Sequence, residues 1–569
     1  MLQIASGKLF SRPVGRRNEH RGILYTNLRL GRDDPLETVA GRLLPATTLD
    51  DSRAVVYEAV ELIEETPTGP GALVSRGMDP YLEEFAAISS FALNVVCTPN
   101  ANLAARLLSN QRLVGVRGRP SKAVRRFFDD DVWCQGGDEA RLQGLVADLI
   151  GLQRRSYRAA IRAIRTYVTG LHRLADDLEL AYTLLVASIE SLAQGFDGNQ
   201  GSWEDYDSEK RTRIDKALAD ADAATAANVR SALLEIEHVS LARRFRDFTL
   251  DHVTDAYFRD EANFEDGPIG RAELPAALRE AYRMRSKYIH NLEELPRIMT
   301  LGDSYRETVR LERKTMLTFQ GLARLARCVI TEFVRKQPKV EAEPYDYSLE
   351  QTGVVRVQMA PQYWVAALNG LTYDCGRRRL EGFAEQLASH LVGEPNASVT
   401  DLRELLAKVE TLLSGMGVAQ RRPFVALHIL FNSYAPEAFK MPGFDVVRSK
   451  YATDLVGPTV EAMFFHLLSF SEPAWPLPEH EHVHREYFRA RNWKDGLRMP
   501  KPLEAGVSLV LAERFRVIKD HARAAEWIRF AVENYPGHPR LRELETGFDK
   551  AVPIEWLKLV SAQKEGGAL

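Results

Sequence analysis

Arg285 and His290 stand five residues apart in the segment Ala281, Tyr282, Arg283, Met284, Arg285, Ser286, Lys287, Tyr288, Ile289, His290, and their types suit the cutting of RNA. Cleavage through the 2′-hydroxyl of the RNA needs a group of near-neutral pKa to move protons. It also needs a fixed cation to hold the charge that builds on the phosphate. Histidine and arginine are those two groups. The element that must position them reads as a helix from Pro275, because proline is favoured at a first helical position. Leu278, Tyr282, Ile289 and Leu292 fall at helical spacing, and Arg285 takes the missing place in that stripe. A guanidinium off the water-facing side is costly unless paired or used, so Arg285 needs a carboxylate, a phosphate or an exposed groove. At about 100° per residue, His290 lies roughly 140° around the helix from Arg285, near Arg283 and Ser286.

This arrangement resembles the R-x4-6-H motif of the HEPN superfamily. It is closest to the Apea-like branch, where tyrosine, two residues, arginine, serine or asparagine, three residues and histidine follow in order. A second patch agrees: Leu180 to Ala193 reads LAYTLLVASIESLA and resembles the first helix of that branch, with Glu190 as its one charge. Burial of that helix obliges something to donate to Glu190, and Arg285 is the candidate. The resemblance spans roughly residues 150 to 335. It departs after the histidine, where the family often has glycine and this chain has Asn291, the next most tolerant residue for a left-handed helix end.

The resemblance implies a metal-independent endoribonuclease without a cofactor, working as a dimer or higher oligomer whose motif helices line one cleft. His290 is then the general acid/base, Arg285 the phosphate and transition-state clamp, Ser286 a polar helper and Glu190 the residue that orients Arg285. Arg283 and Lys287 are the adjoining RNA contacts. A cleaving enzyme inside a cell must be restrained, so the biological expectation is a regulated toxin or antiviral-defence effector. The alternative is a structural Arg285–Glu190 pair with His290 near the negative end of the helix dipole, in a silent RNA-binding or assembly scaffold.

Two basic clusters precede this segment. Arg154, Arg158, Arg162 and Arg165 fall along one predicted helix, and such a ridge can track a phosphate backbone. It can equally be a solvated surface paired with acids such as Glu139 or Asp176. Arg112, Arg117, Arg119, Lys122, Arg125 and Arg126 form the other cluster, partly offset by Asp129, Asp130 and Asp131.

A rival motif lies near the C-terminus. His480, Glu481, His482, Val483, His484 spells H-E-x-x-H, the zinc-protease pattern of two histidines one turn apart with a water-activating glutamate. Pro473, Pro476 and Pro478 lead into it, so it reads as an exposed loop or helix start rather than a zinc helix. No metal site is expected.

The remainder reads as mainly α and multidomain. At 569 residues with 45% hydrophobic and 27% charged residues, the chain has room for about three ordinary globular domains. Residues 1–145 suggest a small α/β or β-rich domain, with strands at Ile23 to Leu28 and Ala54 to Ile63 and a helix at Pro80 to Leu107. Residues 146–335 suggest the HEPN-type helical bundle, closed by a helix from Leu311 to Val334. The proline-containing segment 336–348 reads as a linker. Residues 349–569 suggest a helical domain for protein contacts, with one weakly tetratricopeptide-like hairpin around Trp527. Cys97, Cys134, Cys328 and Cys375 form no C-x2-C pair, and no apolar run reaches membrane-spanning length, so a reducing cytoplasm is expected.

Overall fold

Burial alternates along much of Ala54–Glu64 and, from Asn18 onward, along Val14–Thr26, which begins as a polar run well before the strand expected from Ile23; these are the two long strands at the centre of the N-terminal sheet. The computed structural model describes residues 1–569 other than 32–34, 47–52, 66–76, 110–119, 197–202, 204–207, 237–240, 301–304, 351–354, 356 and 562–569. Its strands are β1 (Val14–Thr26), β2 (Leu28–Arg29), β3 (Leu36–Thr38), β4 (Gly41–Pro45), β5 (Ala54–Glu64), β6 (Cys97–Thr98) and β7 (Val132–Trp133). Five make an antiparallel sheet in the order β3-β4-β5-β1-β6, with Tyr25 facing both Ala54 and Thr98. β2 and β7 form a short parallel pair.

The helix Asp79–Leu93 buries Tyr81, Phe85 and Phe91, and the Phe85 ring stacks on Tyr57 of β5 at 4.0 Å between centroids. One helix was expected from Pro80 to Leu107. The chain instead breaks at Asn94, left-handed at φ 54°, passes through β6, and starts a second helix, Ala101–Leu107, capped by the Asn100 side chain.

Beyond the sheet, Leu178–Phe196 is the central helix, packing against helices Arg154–Arg173, Leu241–Asp251, Leu274–Asn291 and Phe319–Lys336. The last of these starts later than the sequence suggests. Leu311 belongs to a hairpin of β8 (Thr308–Leu311) and β9 (Lys314–Leu317), and the helix begins after Thr318, whose hydroxyl accepts from the Gly321 N–H.

The expected boundary near residue 145 is absent. One continuous apolar core holds sheet residues such as Leu24 and Tyr57 together with Leu185, Leu278 and Leu325 of the central helices. The expected linker is also a correction: it is a strap on that same body. The Val340 N–H donates to the Gly151 carbonyl, the Glu343 N–H to Lys8 and the Tyr345 N–H to Leu9, while the Tyr347 hydroxyl donates to Glu64. The chain accordingly divides at residue 355, into Met1–Val355 and Arg356–Leu569.

The second unit is helical, with its own core. Its helices include Gly376–Val392, Arg403–Leu412, Val418–Tyr434, Val460–Leu468, Leu477–Ala490, Lys501–Val517 and His521–Asn534. The last two, joined by three residues, form a closely packed hairpin. The four cysteines carry free thiols, and among the described residues no helix is long and apolar enough to cross a membrane.

Candidate functional site

The motif helix, Leu274–Asn291, has Pro275 in its first turn and buries Leu274, Ala277, Leu278, Ala281 and Met284. Arg285 continues that buried stripe. The core ends there: Ile289 and Leu292, expected to lie on it, are 49% and 74% exposed. The left-handed helix end also falls one residue later than expected, on Leu292 at φ 56°, with Asn291 still helical.

Glu190 reaches Arg285 from the middle of helix Leu178–Phe196. Its Oε2 lies 2.9 Å from the Arg285 guanidinium, with the two side chains 4% and 21% exposed. Its Oε1 accepts from the Tyr282 hydroxyl at 3.1 Å and the Gln194 amide at 3.4 Å. The Arg285 guanidinium also lies over the Tyr282 ring, 5.6 Å from its centroid. Burial, and then the Glu190 carboxylate, push the Tyr282 hydroxyl up to about 12, so it stays a donor at neutral pH. The Arg285 Nε is buried and meets no acceptor among the described residues. A guanidinium only partly exposed and fixed from behind by a buried carboxylate is an oriented anion donor.

His290 sits in the last helical turn and is exposed, on the side away from the core. Arg285 and His290 are therefore roughly 140° apart around one helix, and no hydrogen bond joins them among the described residues. Ser286 is half-buried between them. Arg283 pairs with Glu280 at 2.5 Å, and Lys287 pairs with Glu293, which also accepts from Asn291 at 3.3 Å. Both expected RNA contacts are thus carboxylate-paired in the protein alone.

The arginine ridge divides. Arg154 is buried and cannot track a backbone: its Nη2 lies 2.6 Å from Glu350 and its Nη1 donates to Gln3 at 3.2 Å. Arg158 shares Glu350 at 2.8 Å, and Arg165 pairs with Glu83 at 3.1 Å. The partners come from the strap and the first long helix, not from Glu139 or Asp176. Arg162 is exposed and has no carboxylate within ion-pair distance among the described residues. In the other cluster, Arg112, Arg117 and Arg119 lie outside the described residues, while Arg125 and Arg126 face a large cleft.

The H-E-x-x-H segment is helical, within Leu477–Ala490, and not an exposed loop. His480 and His484 are buried but have separate partners. The Arg514 guanidinium donates to His480 Nδ1 at 3.0 Å. His484 Nε2 is 2.8 Å from the Ser508 hydroxyl, among the Phe488, Trp527 and Phe530 rings. Glu481 faces Arg523 and Arg485. Burial, with Arg514 next, pushes the His480 pKa down to about 4, and burial takes His484 to about 3. Among the described residues no group of three or more His, Cys, Asp or Glu side chains could hold a metal ion.

Comparison with protein-family models, curated proteins and solved structures finds no match for this chain.

Proposed function

We propose that the first unit is a metal-independent endoribonuclease of HEPN type, in which Arg285 clamps the phosphate and His290 transfers protons. The observation that carries this reading is the Glu190–Arg285–Tyr282 cluster: an arginine where a core leucine belongs, held by a carboxylate, with its Nε left unpaired. Ser286 is the polar helper beside them. Arg285 and His290 lie roughly 140° apart around one helix, and the working site is a cleft lined by the motif helices of two subunits. This makes the active form a homodimer or larger assembly. Regulated RNA destruction in a toxin or defence role follows from the need to restrain such an activity in a cytoplasmic setting, with the helical second unit as a docking surface for a protein partner.

A silent RNA-binding or assembly scaffold is the second reading, and the carboxylate pairing of Arg283 and Lys287 favours it. Cleavage of labelled transfer RNA and a structured messenger in excess EDTA separates the two. Cleavage by the wild type that survives EDTA and is lost in both Arg285→Ala and His290→Ala supports the enzyme. Intact RNA with retained binding by the folded protein supports the scaffold.

A further inference from the structure

A cleft of about 930 Å³ opens in the first unit between the Val124–Arg126 turn and the helices Gly136–Gly151, Arg154–Arg173 and Phe319–Lys336. Its volume is within the range of small-ligand sites. Arg125, Arg126, Arg141 and Arg327 all line it.

Their pairing is uneven. Arg126 lies 2.7 Å from Asp138 Oδ2 and Arg141 lies 3.1 Å from Oδ1 of the same carboxylate. Among the described residues, neither Arg125 nor Arg327 has a carboxylate within ion-pair distance. Arg125 is held by the Phe264 carbonyl and by its place over the Tyr305 ring, 5.2 Å from the centroid. Arg126 and Arg141 thus share one carboxylate, while Arg324 and Arg335, which also line the cleft, pair with Glu307 and Glu332; its remaining carboxylates are also engaged, Glu261 lying 3.8 Å from Arg324 and Glu265 accepting from the Gln320 amide.

Three further observations point to an anion. The Nε atoms of both Arg125 and Arg126 are buried without an acceptor. Arg126 holds a left-handed backbone, φ 67°, which sets two successive arginines towards the cleft at a conformational cost. Burial, and then Arg327, depress the pKa of Arg141, as expected of like charges brought together. At the rim, the Phe264 ring is 80% exposed, a flat apolar face beside the cationic floor.

We propose that this cleft binds a nucleotide carrying two or more phosphates, with the phosphates on Arg125, Arg126, Arg141 and Arg327 and the base on Phe264. Planar arginine forks match phosphate oxygens, and several converging forks favour a compact polyanion over a single phosphate. The limited volume of the cleft favours a small ligand over an extended RNA backbone. The site uses no residue of the motif helix, so it stands or falls independently of RNA cleavage.

Calorimetric titration of the full chain with ADP, inorganic pyrophosphate and adenosine, at low salt, tests it. ADP is expected to bind more tightly than pyrophosphate, and adenosine not to bind. Arg327→Gln is expected to weaken both phosphates about tenfold, in line with one lost charge-assisted contact. It leaves no carboxylate stranded, so the melting temperature is expected to stay level or rise. Phe264→Ala is expected to weaken ADP and leave pyrophosphate unchanged. The proposal is overturned if the wild type binds neither phosphate saturably, or if Arg125→Gln combined with Arg327→Gln binds ADP as tightly as wild type. An RNA oligomer that binds where ADP does not overturns it in favour of a backbone track.

Discussion

His290 and His484 are the same residue near other ionisable groups on two amphipathic helices, yet the structure puts them in opposite physical states. His290 stands beyond the end of its core, in water. His484 lies in an aromatic box with its pKa pushed down to about 3, and works as an uncharged packing group. Each lies in a motif spelling that suggests chemistry, and burial takes His484 out of proton exchange near neutral pH. Arg285 and two of the cleft arginines differ in the same instructive way: Arg285 is matched by a buried carboxylate, whereas Arg125 and Arg327 have none within ion-pair distance among the described residues.

The widest separation is expected from alanine at each histidine. His290→Ala should lower RNA cleavage by about a thousandfold, within the usual range for a general acid/base, with no shift in melting temperature. His484→Ala should reduce unfolding free energy by about 3 kcal/mol through the cavity it opens among the aromatic rings and the loss of its hydrogen bond to Ser508, whose hydroxyl keeps the Glu504 carbonyl as acceptor. Equal stability loss at both positions would erase the contrast. Next comes Glu190→Ala, which leaves Arg285 beside the core without its counter-charge. A loss of about 3 kcal/mol in a urea titration is expected, with cleavage falling as well, whereas no stability change would show the pair to be dispensable.

The third test is pH. An unfolded histidine titrates near 6.5, while folded His480 and His484 stay neutral to about 4 and 3. Between those values the unfolded chain binds protons that the folded one refuses, so stability is lost as pH falls from about 6.5 towards 4. The slope is up to about 1.4 kcal/mol per pH unit for each histidine. Urea midpoints followed by tryptophan fluorescence should show it, because Trp475 packs on His480 and Trp527 on His484. His484→Gln should flatten the slope; an unchanged slope counts against the buried neutral state. The smallest effect is at Leu292, strained at φ 56° and largely exposed: Leu292→Gly should stabilise by roughly 1 kcal/mol, read as a small rise in melting temperature.

Local periodicity made β5, the mainly helical character of the second unit and the Glu190–Arg285 pair legible in the sequence, whereas β1, expected only from Ile23, starts at Val14 in a polar run that shows no period. An apolar helix with one charge and a polar helix with one misplaced arginine are each incomplete alone and complete together. What the sequence did not reveal was long-range. Segment 336–348 has linker composition, yet its backbone donors find acceptors on Lys8, Leu9 and Gly151, more than a hundred residues away. Arg154 reads as one tooth of a ridge, but Glu350 and Gln3 bury it. The H-E-x-x-H prolines suggested a loop, although proline within a first helical turn stops nothing. Leu311 looked helical by period while belonging to a four-residue strand, too short to show alternation.

The strap has a consequence for cooperativity. By tying residues 339–350 to the N-terminal segment, to β5 and to the arginine helix, it makes the sheet and the motif helix parts of one thermodynamic body. Hydrogen exchange should therefore show β5 and the Glu190 helix opening at a common free energy. A fragment trimmed to residues 146–335 would lack the surfaces that hold its charged helix in register.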